Sequence, residues 1–413
     1  MSLSSALYSG ISGMNTNGTA MSVIGNNIAN TNTIGFKSSR TIFSDLLASS
    51  VNGSGGTSQV GRGTGLARVD TLFAQGTFET TKSDTDLAIE GEGLFVVREA
   101  GSENLLYTRA GSFRFDGEGY LITPEGYRVQ GKPYYNGVLS TGGSTDIRVD
   151  INDGIPARMT GTINLSTNLD ANAATVTGTF DPADPTTYNY AHSTDVYDSL
   201  GNTHLLTTYF SKTADNNWDW HVVDENNTTV FSSATDGGSL VFDTSGRQAG
   251  GGTTTLGPLS LGAGTAPQSI NFALQNTTQY ANDSQVISHS QDGYGAGNLT
   301  NISIDNSGNV LAKYSNGQQV SVARMVLAKF SNFGGLQKEG NNLYSATTES
   351  GSPRIGLPGS ELGNIFTNAL EQSTVDLAAE FVKMITTQRG FQANSKVITT
   401  TDEMLAELIN LKR

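Results

Sequence analysis

LEQSTVDLAAEFVKMITTQRGFQANSKVITTTDEML, residues 370–405, places an apolar side chain at every seventh position: Leu370, Leu377, Met384, Phe391, Ile398 and Leu405. A seven-residue repeat held this long puts one narrow apolar seam on a helix, and a left-handed supercoil keeps that seam against a partner. The first thirty residues offer such a partner. Leu7, Met14, Met21 and Ile28 are also spaced by sevens, with Leu3, Ile11 and Ile24 widening the stripe. The two ends of the chain are therefore expected to meet.

Neither helix is built to stand alone. Gly10, Gly13, Gly18 and Gly25 interrupt the N-terminal pattern, and each interior glycine weakens a helix by about 1 kcal/mol relative to alanine. Glycines also let neighbouring backbones approach closely. Two readings follow: folding coupled to association of many copies, or an antiparallel pair closed within one monomer.

At 413 residues the chain can hold two or three domains. Its 49 glycines, its low 15% of charged residues and a middle rich in Thr, Ser and Asn fit β structure with many turns. A net charge of −14 with no basic stripe argues against nucleic acid as a partner. The first acidic residue is Asp45, so the preceding segment carries only Lys37 and Arg40 as charged side chains, which suits a packed environment. Cysteine is absent, which excludes disulfides and thiolate metal sites. A Sec-type leader is not recognisable, and no apolar run is long enough for membrane insertion.

The N-terminal helix is expected to end within residues 26–30, with Gly35 supplying a positive φ. An amphipathic piece at 42–47 follows, then SSVNGSGGTSQVGRGTG at 49–65, read as a flexible stretch too rich in Gly and Ser to pack. Short alternating strands run from 76 to 131, with a hairpin at Asp116–Gly119. From 145 to 283 the texture changes: STDVYD and HLLTTYFSK flank the turn SLGN at 199–202, WDWHVV follows, and no charge occurs between Arg247 and Asp283. After Gln291 the turns DNSGN and SNGQ mark two more hairpins. The C-terminal helix is expected to open at Ser373 or Thr374, with Ser373 and Asp376 spaced as a capping box. The order is nested: helix, β, inserted β, β, helix.

Catalytic and metal-binding patterns find no support. His192, His204, His221 and His289 are scattered, and no HExxH occurs. Gly61, Gly63 and Gly65, like Gly293, Gly295 and Gly297, lack the strand-to-helix context of a dinucleotide loop. Asp150 with Asp153, and Asp305 with Asn306 and Asn309, lack the EF-hand register. Asp84 and Asp86 give no glycosidase geometry. No catalytic, cofactor-binding or metal residue is assigned.

ANTNTIGFK, residues 29–37, resembles the signature of the bacterial flagellar rod and hook protein family, through Ala29, Asn30, Thr33, Gly35, Phe36 and Lys37. SALYSGISGMNTNGTAMSVIGNNI, just before it, is similar to the same N-terminal module, and residues 370–405 to the C-terminal one. GEGLFVV at 91–97 and YTRAGSFRFDGEGYLITPEGYRVQG at 107–131 also resemble family sequence. VYDSLGN, DNNWDW, QDGYGAGNLT and FGGLQKEGNNLYSATTESG are similar to its hook members, the fit being loosest between 224 and 271.

The resemblance implies an α+β fold: discontinuous terminal helices forming a coiled-coil-like inner domain (1–30 with 370–413), a connecting segment (31–75 with 355–369), then two nested, mainly β domains (76–144 with 284–354, and the inserted outer 145–283). It implies a structural, non-enzymatic subunit of the hook, a curved flexible tube that serves as the universal joint between rod and filament. The ten heptad residues would be assembly contacts. Implied partners are the chain itself as a helical homopolymer, the distal rod protein, the hook cap protein, the hook–filament junction protein and the flagellar type III export apparatus, with an extracellular location reached without a cleaved Sec signal. A distal rod subunit of the same family is the first alternative, because of the long Gly-rich stretch; a secreted β-rich adhesin or glycan-active enzyme is the second.

Overall fold

The computed structural model describes residues 3–53, 56–151, 153–359 and 361–410. The chain divides into two units, one of residues 1–151, 302–312 and 320–413 and the other of 152–301 with 313–319.

Two helices dominate the first unit, Leu3–Ala29 and Leu377–Asn410, and they pack on each other. A Cβ added at Gly10 would meet Ile398 at 3.0 Å, one at Gly13 would meet the Asn394 side chain, and one at Gly390 would meet Asn17. Early residues of one helix thus lie beside late residues of the other, an antiparallel pair within one chain. The N-terminal helix ends at Ala29, inside the expected window. The C-terminal helix opens later than expected. Asp376, not Ser373, is the cap, its Oδ1 accepting the amides of Ala378 at 2.9 Å and Ala379 at 3.2 Å.

The segment before that cap is extended because it has backbone partners. Ala369–Glu371 pairs antiparallel with Phe78–Thr80, Leu370 opposite Glu79, so Leu370 is a strand residue and does not begin the helical heptad. The Gly-rich stretch also departs from expectation. Ser39–Asp45 pairs with Thr64–Thr71, and between them Ser49–Gly53 pairs with Gly56–Val60. Backbone ladders need no bulky side chains, so the Gly- and Ser-rich Ser49–Gly53 and Gly56–Val60 form a ribbon that a packing argument could not foresee.

The main sheet of this unit runs through Gln319–Met325, Arg128–Tyr135, Leu94–Arg98, Leu105–Thr108, Leu343–Ser345 and Gln337–Gly340, in that spatial order. Its centre is FVV with its neighbour: Leu94, Phe95, Val96 and Val97 are all buried, a continuous run that reads as a strand covered on both faces. Leu94, Val96, Tyr107, Val326, Ala328, Phe330 and Tyr344 form one core cluster.

The second unit is a β sandwich. One sheet centres on Thr162–Asp170, which pairs parallel with Gln268–Ala273 and antiparallel with Gln285–Gln291. The other runs Tyr190–Tyr197, Thr203–Ala214, Asn217–Val223, Leu240–Phe242, Gln248–Gly250. Ile163 and Leu165 of the first meet Phe210, Trp218, Trp220 and Val222 of the second in one core. SLGN is the turn of the expected hairpin, with Asp198 as its hub: the carboxylate accepts the amides of Leu200 and Asn202 and the Asn202 side chain.

Candidate assembly interface

Two features of the first unit bear on assembly: the faces of the helix pair, and the junction that fixes the pair to the β structure.

The face the N-terminal helix turns to its partner is made of small residues. Gly10, Gly13, Thr16, Ala20, Ile24 and Asn27 are buried, whereas Leu7, Met14, Met21 and Ile28 are half-buried along the edges of the contact. Two stripes compose the covered side of the C-terminal helix. Met384, Ile398 and Leu405 are half-buried, while Leu377 and Phe391 are exposed. Beside them runs a second heptad of polar residues, Glu380, Thr387, Asn394 and Thr401, of which Glu380 and Thr401 are fully buried. The expected apolar sevens therefore border the intramolecular seam, and small and polar side chains fill it. Glycine allows that closeness.

Large apolar side chains remain on the outward surface among polar ones such as Lys383, Arg389 and Lys396. Phe381 is 49% exposed, Val382 61% and Ile385 52%, with Val397 and Met404 also exposed on this helix and Tyr8 and Ile11 on the other. Gly18 and Gly25 have no atom within 4 Å of an added Cβ. The ribbon after the N-terminal helix adds Phe43, Leu46 and Leu47, the last 91% exposed. Exposed apolar surface of this extent marks a contact with other protein.

The junction is a buried ionic knot. Lys37 and Glu371 have fully buried side chains and meet at 2.6 Å. Lys37 Nζ also donates to the Ala74 carbonyl at 2.5 Å, Glu371 Oε1 accepts the Gly76 amide at 2.7 Å, and Arg109 Nε stands 3.5 Å from Glu371 Oε2. Arg109 further donates to the carbonyls of Ile89, at 3.0 Å, and Gly91. Burial pulls the Lys37 ammonium below its ordinary value although Glu371 attracts it, with Arg109 adding repulsion; burial lowers Arg109 in the same way, against Glu371. Two cations and one carboxylate share one dry site.

The motif at 29–37 builds this knot. Ala29 ends the helix, and the Asn30 amide donates to the carbonyls of Asn26 and Asn27 while its Oδ1 accepts the Thr33 hydroxyl at 3.0 Å. Gly35 takes φ +69° and lies where a Cβ would sit 2.6 Å from the Ala110 amide nitrogen; its own amide donates to the Glu371 carbonyl at 2.8 Å. The buried Phe36 offers its carbonyl to the Thr374 amide at 3.1 Å. Just before, the buried Asn27 holds the turn closed: Nδ2 donates to the Ser39 carbonyl at 2.7 Å, Oδ1 accepts the Ser39 amide at 2.9 Å, and Nδ2 reaches Glu380 Oε2 at 3.3 Å. Sequence reasoning missed Glu371, Arg109, Asn27 and Glu380. The signal was Lys37, a charge in a stretch otherwise almost free of charge, which implied a buried partner without saying which.

The fold is thus that of a chain whose two termini return to one helix pair, with exposed apolar residues, pinned by a buried ionic knot to the β structure of its own unit. Residues 7–37 match the family described as flagella basal body rod protein, 88–177 the flagellar hook protein FlgE/F/G D1 domain, 168–294 the flagellar basal body protein FlaE D2 domain, and 367–411 the flagellar basal body rod FlgEFG protein C-terminal. The chain is 36% identical to the flagellar hook protein FlgE of Borreliella burgdorferi, over 98% of this chain and 99% of that one. It is 34% identical to that of Salmonella typhimurium, over 97% and 98%. Its fold is similar to the Helicobacter pylori flagellar hook protein FlgE2, with a TM-score of 0.53 and 16% identity, covering 71% of this chain and all of that one. The chain belongs to the flagellar hook protein family, whose members polymerise within the flagellum.

Proposed function

We propose that this chain polymerises into the hook through the free face of its terminal helices, and that the polymer serves as a curved, flexible joint transmitting torque from rod to filament. The chain is a structural subunit of the flagellar hook. The observation that carries the assembly reading is exposed apolar surface toward both ends of the helix pair, Phe381, Val382 and Ile385 at one and Tyr8 and Ile11 at the other, which the described residues leave open. A patch of one subunit against a different patch of the next gives a heterologous contact, and one that does not close gives a helical tube. Leu7, Met14, Met21, Ile28, Leu377, Met384, Phe391, Ile398 and Leu405 border both the intramolecular seam and this face, so they serve as the edges of intersubunit packing. Leu370, in a strand, acts through the junction instead.

Each protofilament of a rotating curved tube shortens and lengthens once per turn, which requires a continuous inner layer with outer parts that exchange near-isoenergetic contacts. The polar, weakly charged block 145–283 suits that outer role and sets curvature. The role is mechanical, not catalytic. The subunit leaves the cell through the flagellar type III apparatus, adds under a cap protein, and joins the distal rod protein at one end and the junction protein at the other. Electron microscopy of basal bodies from a strain lacking the protein tests this: complete rods without hooks are expected, whereas truncated rods would move the chain to the rod.

A further inference from the structure

The second unit holds a cavity of about 480 Å³. It arises from strand alternation. In Asn217–Val223 the even residues Trp218, Trp220 and Val222 enter the core, so Asp219 and His221 point to the opposite face. Cross-strand register adds Ser232 opposite His221, and Ser211 and Thr213 extend the same face from the neighbouring strand. The segment 176–180 roofs it: the Val176 amide donates to the Lys212 carbonyl at 2.8 Å, and Phe180 stacks on the His221 ring at 4.0 Å with planes 3° apart.

The lining is acidic and hydroxyl-rich. Asp219 and Asp236 bring carboxylates, and the lining contains no Lys or Arg. Asp219 is held in place, its Oδ1 accepting the hydroxyls of Ser239 at 2.6 Å and Ser233 at 3.3 Å. Asp236 Oδ2 accepts the Ser232 amide at 3.1 Å. His221 is 4% exposed, and its Nδ1 has no hydrogen-bond partner. Burial keeps this imidazole below its ordinary value, with Asp219 pulling the other way, so near neutral pH the ring is neutral and has one donor and one acceptor nitrogen. Val176, Val230 and Phe231 supply an apolar side. Among the described residues no three His, Cys, Asp or Glu side chains converge as metal ligands.

We infer that this cavity binds a monosaccharide-sized, polyhydroxylated ligand, neutral or amine-bearing. Its volume lies within the roughly 300–1,000 Å³ of small-molecule pockets, and an apolar wall with a few convergent polar groups is the usual design. A sugar ring presents C–H groups to Val176 and Val230 and hydroxyls to His221, Asp219 and Ser211. With two carboxylates and no cation, the site rejects anions and favours an amino group.

The test is titration of the full-length monomer with glucosamine, glucose and glucuronate. It is read by methyl shifts of Val176 and Val230 and by tryptophan emission, since both tryptophans of the chain underlie this sheet and Phe231 lies 4.5 Å from the Trp220 ring. Saturable responses are expected, tightest for glucosamine, weaker for glucose and absent for glucuronate. Asp236→Asn is expected to cut the preference for glucosamine over glucose at least tenfold, and Thr235→Phe, at an exposed position of the lining, to block both sugars with the fold intact. No saturable response at millimolar sugar, equal binding of glucuronate, or tighter binding of spermidine than of either sugar would overturn the inference, and none of these results bears on hook formation.

Discussion

Glu371→Gln is the sharpest perturbation of the junction. The substitution keeps shape and an acceptor for the Gly76 amide, but leaves Lys37 and Arg109 as two buried cations with no counter-charge. Removing one partner of a buried ion pair costs about 3–5 kcal/mol, because the remaining charge is desolvated without compensation. Against a typical total of about 5–15 kcal/mol, that leaves the first unit marginal. Both tryptophans lie in the second unit, so tryptophan emission does not report this loss. Amide hydrogen exchange in Leu94–Arg98 does, and is expected to accelerate at least a hundredfold while the tryptophan unfolding midpoint stays put. Lys37→Met on the Glu371→Gln background should restore at least half of the loss, since it removes one orphaned charge. A single-variant cost below about 1 kcal/mol, the range of exposed pairs, would refute the claim that the knot is dry.

The glycines of the N-terminal helix separate two roles. Gly18→Ala and Gly25→Ala meet nothing among the described residues, so each should stabilise the N-terminal helix of the monomer by about 1 kcal/mol, read as a raised melting midpoint in circular dichroism, yet impair tube formation. Gly13→Ala, whose Cβ would meet the Asn394 side chain, should loosen the helix pair already in the monomer. Phe381→Glu and Leu377→Glu place a charge in the proposed intersubunit contact at a cost of several kcal/mol, so subunits should accumulate in the medium unassembled, and normal motility would count against the interface. His204 sits between Glu225, 2.9 Å from Nδ1, and Asp198, 3.1 Å from Nε2. Burial lowers its pKa, but the two carboxylates outweigh this and raise it. Its stabilisation is therefore full below the unfolded value of about 6.5 and fades as pH rises through the raised folded value. The tryptophan-monitored midpoint should fall over that window, and His204→Gln should flatten the profile. Deleting the block 145–283 should yield straight tubes rather than none.

Helices and hairpins were legible because their signals are local. Sevens of apolar residues announced the terminal pair, and DNSGN, SNGQ and SLGN announced turns that the structure closes as Asp305–Asn309, Tyr314–Gln318 and Asp198–Asn202 bonds. The composition of the seam was not legible. A hydrophobic count favours Leu7 and Met14, whereas close packing selects Gly10, Gly13 and Ala20, which such a count ignores. Leu370 followed the heptad in sequence, yet backbone pairing with Glu79 took it into a strand. Ser49–Gly53 and Gly56–Val60 show why Gly and Ser content alone does not mean coil. Long-range partners stayed hidden too. Lys37 and Glu371 are 334 positions apart, and His192 and His289, which look scattered in sequence, stand edge to face with ring centres 5.8 Å apart.

The most direct measurement is an electron cryomicroscopy reconstruction of the tube formed by this chain. Phe381, Val382 and Ile385 are expected to be buried against a neighbouring subunit, with Gly18 and Gly25 at backbone-close contacts between helices of different copies. A tube in which those side chains face solvent, held together only through the β units, would contradict it.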